Sequence, residues 1–81
     1  MGVEEELLRQ TEKMLKDIKE KRKSVSIDTG KKDLLKNLDA YISDTQHFLD
    51  RKDKIRAFEA VVYAWGILET LEHAGIIKTP G

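Results

Sequence analysis

Asp44 and His47 stand three residues apart, a spacing that sets a carboxylate and an imidazole on one side of a helix, where the pair could ligate a metal ion. Di-iron carboxylate bundles build their centre from Glu-x-x-His pairs on two helices plus further inward Glu residues, and this chain contains no Glu-x-x-His. His47 therefore reads as a histidine at a helix edge. Glu69 and Glu72 form a Glu-x-x-Glu pair, the unit from which all-helical nucleotide pyrophosphatases build a magnesium centre, because Mg²⁺ takes oxygen ligands and keeps several waters. Such a centre needs several acidic pairs facing one another. The other dense acidic cluster, Glu4 to Glu6, lies where the dipole of a helix start favours negative charge. His73, one turn after Glu69, is placed to interact with a helix C-terminus. A small metal-dependent enzyme using Glu69, Glu72 and His73 ranks last among the functional readings.

Nucleophiles fare no better. Cysteine is absent, and Ser24, Ser26 and Ser43 sit in no elbow motif with a base and an orienting acid. No Arg precedes either histidine by about one helical turn, which disfavours the Arg/His chemistry of helical RNA-cleaving domains. With no catalytic constellation and no cofactor motif, the expectation is a protein that is not an enzyme. Basic side chains make the remaining cluster: Lys16, Lys19, Lys21, Arg22 and Lys23 end one segment, and Lys31 and Lys32 begin the next. These could meet phosphates as point charges, so Lys19, Lys21, Arg22, Lys23, Lys31 and Lys32 are the candidate contacts of an accessory nucleic-acid binder. No aromatic residue is interleaved to stack on bases, and no Gly-rich phosphate loop follows.

The elements that must position these groups are helical. From Val3 to about Lys23, Leu7, Leu8, Thr11, Met14, Leu15 and Ile18 recur at three- and four-residue steps. The acidic start and basic end of that segment follow the order the helix dipole favours. Ser24 to about Lys31 lacks a helical period and reads as a loop, with Asp28 or Thr29 as the next N-cap. A second helix, residues 31–51, presents Leu34, Leu38, Tyr41, Ile42, Thr45, Phe48 and Leu49 on one face. Arg51-Lys52-Asp53 is a tight connection in which Asp53 caps a third helix, residues 54–74, so helices two and three form an antiparallel hairpin. Gly75 ends the third helix in a left-handed conformation, with Ile76 closing on Leu71. Ile76 to Gly81 is a short tail, and Pro80 cannot extend the helix.

Helix three is apolar around most of its circumference. Ile55, Ala57, Phe58, Ala60, Val61 and Val62 continue through Ala64, Trp65, Ile67, Leu68 and Leu71, leaving Arg56, Glu59, Gly66, Thr70 and His73 as a narrow polar strip. A helix packed on one side needs less apolar surface. Either it lies between the other two, or a second chain covers part of it. Trp65 and Tyr41 read as core anchors, while Tyr63 borders the strip. The candidate interface is Tyr63, Gly66, Ile67 and Thr70, and the candidate partners are a second copy of the chain or another helical protein.

Length and composition agree. The 81 residues suit a single three-helix domain, 1–81, that buries roughly 60% of its unfolded surface. Fifteen Lys and Arg balance fifteen Asp and Glu, so no global field draws the protein to nucleic acid or anionic lipid. The charged fraction of 37% suits long helices laced with ion pairs. There is no apolar run long enough to span a membrane and no basic, then apolar, start of the signal-peptide kind. A cytoplasmic protein without a membrane partner is the expectation.

The stretch from Tyr41 through Phe48-Leu49, the charged turn Asp50-Arg51-Lys52-Asp53, then Ala57-Phe58-Glu59-Ala60, Tyr63-Ala64 and Gly66 to Leu71 resembles the short archaeal proteins catalogued as domain of unknown function number 357. The resemblance covers the helical hairpin and reaches helix one only through its amphipathic character. It implies an archaeal, cytoplasmic, compact all-α three-helix bundle and no particular activity. The chain departs from the pattern at Lys52, where such turns commonly carry Gly, so a left-handed Lys52 is expected. Gly66, inside helix three, costs about 1 kcal/mol relative to Ala, and a close backbone approach there would account for it.

Overall fold

A computed structural model describes residues 2–79 of the chain. The positions of Met1, Pro80 and Gly81 lie outside the described residues, and with them the expectation about Pro80 and the end of the tail. The architecture is an all-α three-helix bundle: α1 spans Val3–Lys23, α2 Lys36–Asp50 and α3 Lys54–His73. It is elongated, 45 × 23 × 17 Å.

α1 forms where its pattern places it. Glu4, Glu5 and Glu6 occupy its first turn and Lys21, Arg22 and Lys23 its last, while Thr11, Leu15 and Ile18 are buried along one stripe. α3 also follows its pattern, with Ala74 as the residue that caps it rather than as its last turn. α2 starts later than expected. Thr29–Leu35 winds as a 3-10 helix, and the α-helix begins only at Lys36. The tighter winding, about three residues per turn, moves the face by one residue. Leu35 is therefore buried in line with Leu38, and Leu34, expected on the apolar face, is 46% exposed. Asp28 precedes the 3-10 segment, but its side chain makes no capping bond.

Two segments expected to be irregular pair with each other. Ser26–Ile27 (β1) and Ile77–Lys78 (β2) form a two-residue antiparallel ladder, Ser26 opposite Lys78 and Ile27 opposite Ile77. Ile77 is buried, and Val25, Ile27 and Ile76 pack on the same cluster. The α1–α2 connection and the C-terminal segment thus close one end of the core.

α3 is the central element. Both α1 and α2 pack chiefly against it and touch each other little. Its buried side chains Val61, Ala64, Leu68 and Leu71 join Leu15 and Ile18 of α1 and Leu38 of α2. The two polar residues sealed in this core, Thr11 and Thr45, donate their hydroxyls to the carbonyls of Leu7 and Tyr41 in their own helices, at 2.7 and 2.8 Å. Neither buries an unsatisfied oxygen, which would cost about 1–3 kcal/mol. Trp65 and Tyr41 are half-buried against the core, and the Trp65 indole donates to the Met14 carbonyl at 3.1 Å.

Both ends of the α2–α3 hairpin use the same closure. After α2, the Lys52 amide donates to Leu49 and the Asp53 amide to Phe48, at 3.0 and 2.9 Å; after α3, the Gly75 amide donates to Glu72 and the Ile76 amide to Leu71, both at 3.0 Å. Each closure requires a left-handed residue, Gly75 at φ 72° in one and Lys52 at φ 62° in the other. Asp53 then caps α3 by accepting from the Arg56 amide at 3.2 Å, as its position before the apolar run predicts.

Candidate functional site

Placing α3 in the centre does not cover it. Its buried stripe faces α1 and α2, and the opposite stripe runs over Ile55, Glu59, Val62, Tyr63, Gly66 and Thr70, all exposed. Ile55 is 67% exposed, Tyr63 61% and Val62 43%. The apolar excess of the helix thus divides in two, one part spent on the core and the other left on the surface. Ile55 and Val62, read from the sequence with the apolar face, belong to the exposed stripe beside Arg56 and His73.

Along the C-terminal half of this stripe a shallow groove of about 470 Å³ is lined by Val62, Tyr63, Gly66, Ile67, Thr70 and Leu71. It brings together Tyr63, Gly66, Ile67 and Thr70. A Cβ placed on Gly66 would meet nothing within 4 Å, so no neighbour within the chain accounts for this glycine. The expected close backbone approach is therefore not made inside one molecule. Thr70 donates its hydroxyl to the Gly66 carbonyl at 2.7 Å, so that its donor is used within the helix. Beyond Tyr63 the apolar surface continues onto α2, because the Tyr63 ring stacks on Tyr41 with centroids 5.4 Å apart. Phe48 lies in the adjoining hollow.

The basic residues do not form one face. Arg22 donates to both carboxylate oxygens of Asp39 at 2.6 and 3.0 Å, and this hydrogen-bonded pairing raises its already high pKa. Lys21 lies 3.6 Å from a Glu72 carboxylate oxygen and 5.5 Å from the Trp65 ring centre. Lys19 donates to the Gln46 side chain at 3.2 Å. Lys23, Lys31 and Lys32 are exposed and make no ion pair among the described residues. Lys21 and Arg22 thus serve to fasten α1 to α3 and to α2, and only part of the six-residue cluster is left for phosphates.

The acidic candidates are scattered as well. Asp44, His47, Glu69 and His73 are exposed, and His47 sits 3.4 Å from the Arg51 guanidinium. Glu72 is half-buried: it accepts from the Thr79 hydroxyl as well as facing Lys21. The Thr79 hydrogen bond first, and the Lys21 charge with it, hold its carboxyl below the usual range against the opposing effect of burial. Among the described residues no group of three or more His, Asp or Glu side chains comes close enough to hold a metal ion.

One concave site is not legible as a cluster in the sequence. Because α1 and α2 lean on α3 and touch each other little, a cleft of about 600 Å³ opens between them. Leu8, Leu15 and Leu49 line it, and so do Lys16, Lys19, Lys52 and Lys54. These residues come from both helices, the tight turn and the start of α3, so no window of sequence contains them together.

The family model of a protein of unknown function, DUF357, matches residues 7–77. No curated protein matches the chain. Among solved structures, the crystal structure of protein AF1782 from Archaeoglobus fulgidus, of the same family model, is similar over 98% of this chain and 100% of its own, with 42% identity and a TM-score of 0.86. No helix among the described residues is long and apolar enough to cross a membrane.

Proposed function

Since the chain belongs to the DUF357 family of proteins of unknown function, we propose a role read from its own surface: a non-enzymatic helical interaction module that pairs with a second copy of itself through the exposed face of α3. One observation carries this reading, the exposed apolar side chains of Val62 and Tyr63 beside Gly66, with Ile55 two turns away across Glu59, on a helix whose other side already fills the core. Large exposed apolar side chains grouped on one helix face mark interaction surfaces. Gly66, in the groove of this stripe, lets a second helix approach to the short end of the 8–10 Å range of helix packing.

The stripe is also self-complementary. In an antiparallel pair of α3 helices crossing at Gly66, Glu59 of one copy meets His73 of the other and Val62 meets Thr70, because each pair lies equally far from the crossing. A two-fold axis makes both contacts twice. The surface is nevertheless small. α3 has 20 residues and so is about 30 Å long. A single helix stripe of that length falls short of the ~800 Å² per partner of a standard interface, even with Tyr41 and Phe48 beside it. The pairing is accordingly weak and concentration-dependent. A cytoplasmic setting and an archaeal source belong to the same proposal, supported by the absence of cysteine and by the Archaeoglobus fulgidus neighbour.

Light scattering coupled to size-exclusion chromatography tests it. The mass should rise from 9.3 kDa toward twice that value as concentration increases from about 10 μM to about 1 mM. Val62→Lys, at an exposed position, should keep the mass at that of the monomer throughout. A wild-type chain that stays at 9.3 kDa at the highest concentration sinks the proposal.

A further inference from the structure

We propose that the cleft between α1 and α2 is a binding site for a single-chain amphiphile bearing a phosphate monoester, its apolar chain lying on Leu8, Leu15 and Leu49 and its head group held by Lys16, Lys19, Lys52 and Lys54. The cleft shares no lining residue with the α3 groove, so the inference stands apart from self-association. Its volume of about 600 Å³ falls within the ~300–1,000 Å³ of small-molecule sites, which combine a mostly apolar wall with a few convergent polar groups.

Charge selects the ligand class. Glu12 and Asp50 also line the cleft, so four ammonium groups against two carboxylates leave an excess of two positive charges. That matches a phosphate monoester, which carries about −1.5 to −2 charges at neutral pH, better than a carboxylate. Among the described residues Lys16, Lys19 and Lys52 make no ion pair, and Lys54 makes one. Lys19 is steadied by a neutral partner, the Gln46 amide oxygen, while the Gln46 amide nitrogen donates to Asp50 at 2.9 Å and so occupies one of the two opposing carboxylates. Lys54 pairs with Glu4, at 3.8 Å, a residue of the exposed first turn of α1 that does not line the cleft.

Lys52 gives the independent indication. It occupies the left-handed position of the turn, φ 62°, where Gly would fit without strain; the equivalent position after α3 has Gly75. A side chain there costs about 1–2 kcal/mol. Non-glycine residues held in left-handed conformations cluster at ligand sites. The strain at Lys52 places a fourth ammonium at the cleft on a turn fixed by two backbone hydrogen bonds.

The test titrates ¹⁵N-labelled protein with decyl phosphate below its micelle concentration, and with decanol and inorganic phosphate as half-ligands. Decyl phosphate should move the amide signals of Leu8, Lys16, Lys19, Leu49 and Lys52 saturably, with binding that weakens as salt is raised, and each half-ligand should bind at least about tenfold more weakly. Lys52→Gly should weaken binding about two- to fivefold, the value of one exposed charge contact, while raising the melting temperature. Lys16→Glu, at an exposed position, should weaken it about tenfold or more with the fold intact. The assignment is overturned if decyl phosphate leaves these amides unmoved, if either half-ligand binds as well as the whole, or if Lys52→Gly raises stability without touching affinity.

Discussion

Replacing Gly66 by Ala separates the demands of the single chain from those of the pair. Gly66 lies inside α3, which runs from Lys54 to His73. A helix-interior glycine costs about 0.8–1.0 kcal/mol relative to alanine, through the extra freedom of the unfolded backbone. An added Cβ would meet nothing within 4 Å, so no clash offsets the gain. The bond from Thr70 ends on the Gly66 carbonyl and does not depend on its side chain. The monomer should therefore gain about 1 kcal/mol, or about 4–8 °C in melting temperature for a domain of this size. Urea unfolding followed by far-UV circular dichroism at low micromolar protein measures it, and the midpoint should rise at constant slope. At high concentration the same methyl group stands at the proposed helix crossing and holds the two backbones apart, so the dimer should weaken. A monomer that loses stability on Gly66→Ala would show that something presses on this position within the chain. A monomer that gains stability while dimerisation stays unchanged would remove close approach as the reason for the glycine.

Three further substitutions examine the fold that carries both surfaces. Leu68→Ala, at a fully buried position of the central helix, should cost about 2–5 kcal/mol, lowering the melting temperature by more than about 10 °C; a smaller loss would mean that α1 and α2 can close over the cavity. Gly75→Ala places a Cβ on a residue at φ 72° and should destabilise by about 1 kcal/mol in chemical denaturation, the reverse of Lys52→Gly at the matching turn. Glu72, whose folded carboxyl is held below its ordinary value of about 4.5 by Thr79 and Lys21, contributes stability that is complete above that value and disappears as pH falls through the lower folded one. Melting temperatures of wild type and Glu72→Gln should therefore differ at pH 6, and the gap should narrow as pH falls below about 4.5; a gap that does not change with pH would show that the carboxylate charge is not the source.

The helices are legible in the sequence to different degrees, for reasons that are local. α1 and α3 can be read to within about a residue because their apolar positions repeat over five or more turns and their ends carry charge or capping signals, Glu4 to Glu6 for one and Asp53 and Gly75 for the other. The start of α2 is not, because a 3-10 turn and an α-turn place nearly the same residues on one face, and only the exchange of Leu34 for Leu35 in the core tells them apart. β1 and β2 are two residues each, below the length at which alternation can be recognised. The pairing of Ile27 with Ile77 is a fact of tertiary structure that neither segment announces alone.

For the candidate sites, the most informative residues are those that contradict local preference. Turn geometry asks for Gly at position 52, where the chain has Lys; helix propensity asks for almost anything but Gly at position 66, where the chain has Gly. Together the two departures cost about 2–3 kcal/mol, an appreciable fraction of the ~5–15 kcal/mol that stabilises a typical domain. Neither is explained by packing within the molecule, since Lys52 is exposed and nothing surrounds the missing Cβ of Gly66. Each lies in the wall of a different concave surface, Lys52 in the α1–α2 cleft and Gly66 in the α3 groove. Local rules broken without a structural return are expected where a protein meets something other than itself folded. The coincidence of both violations with both surfaces is therefore a stronger argument for two places of contact than the volume or polarity of either one.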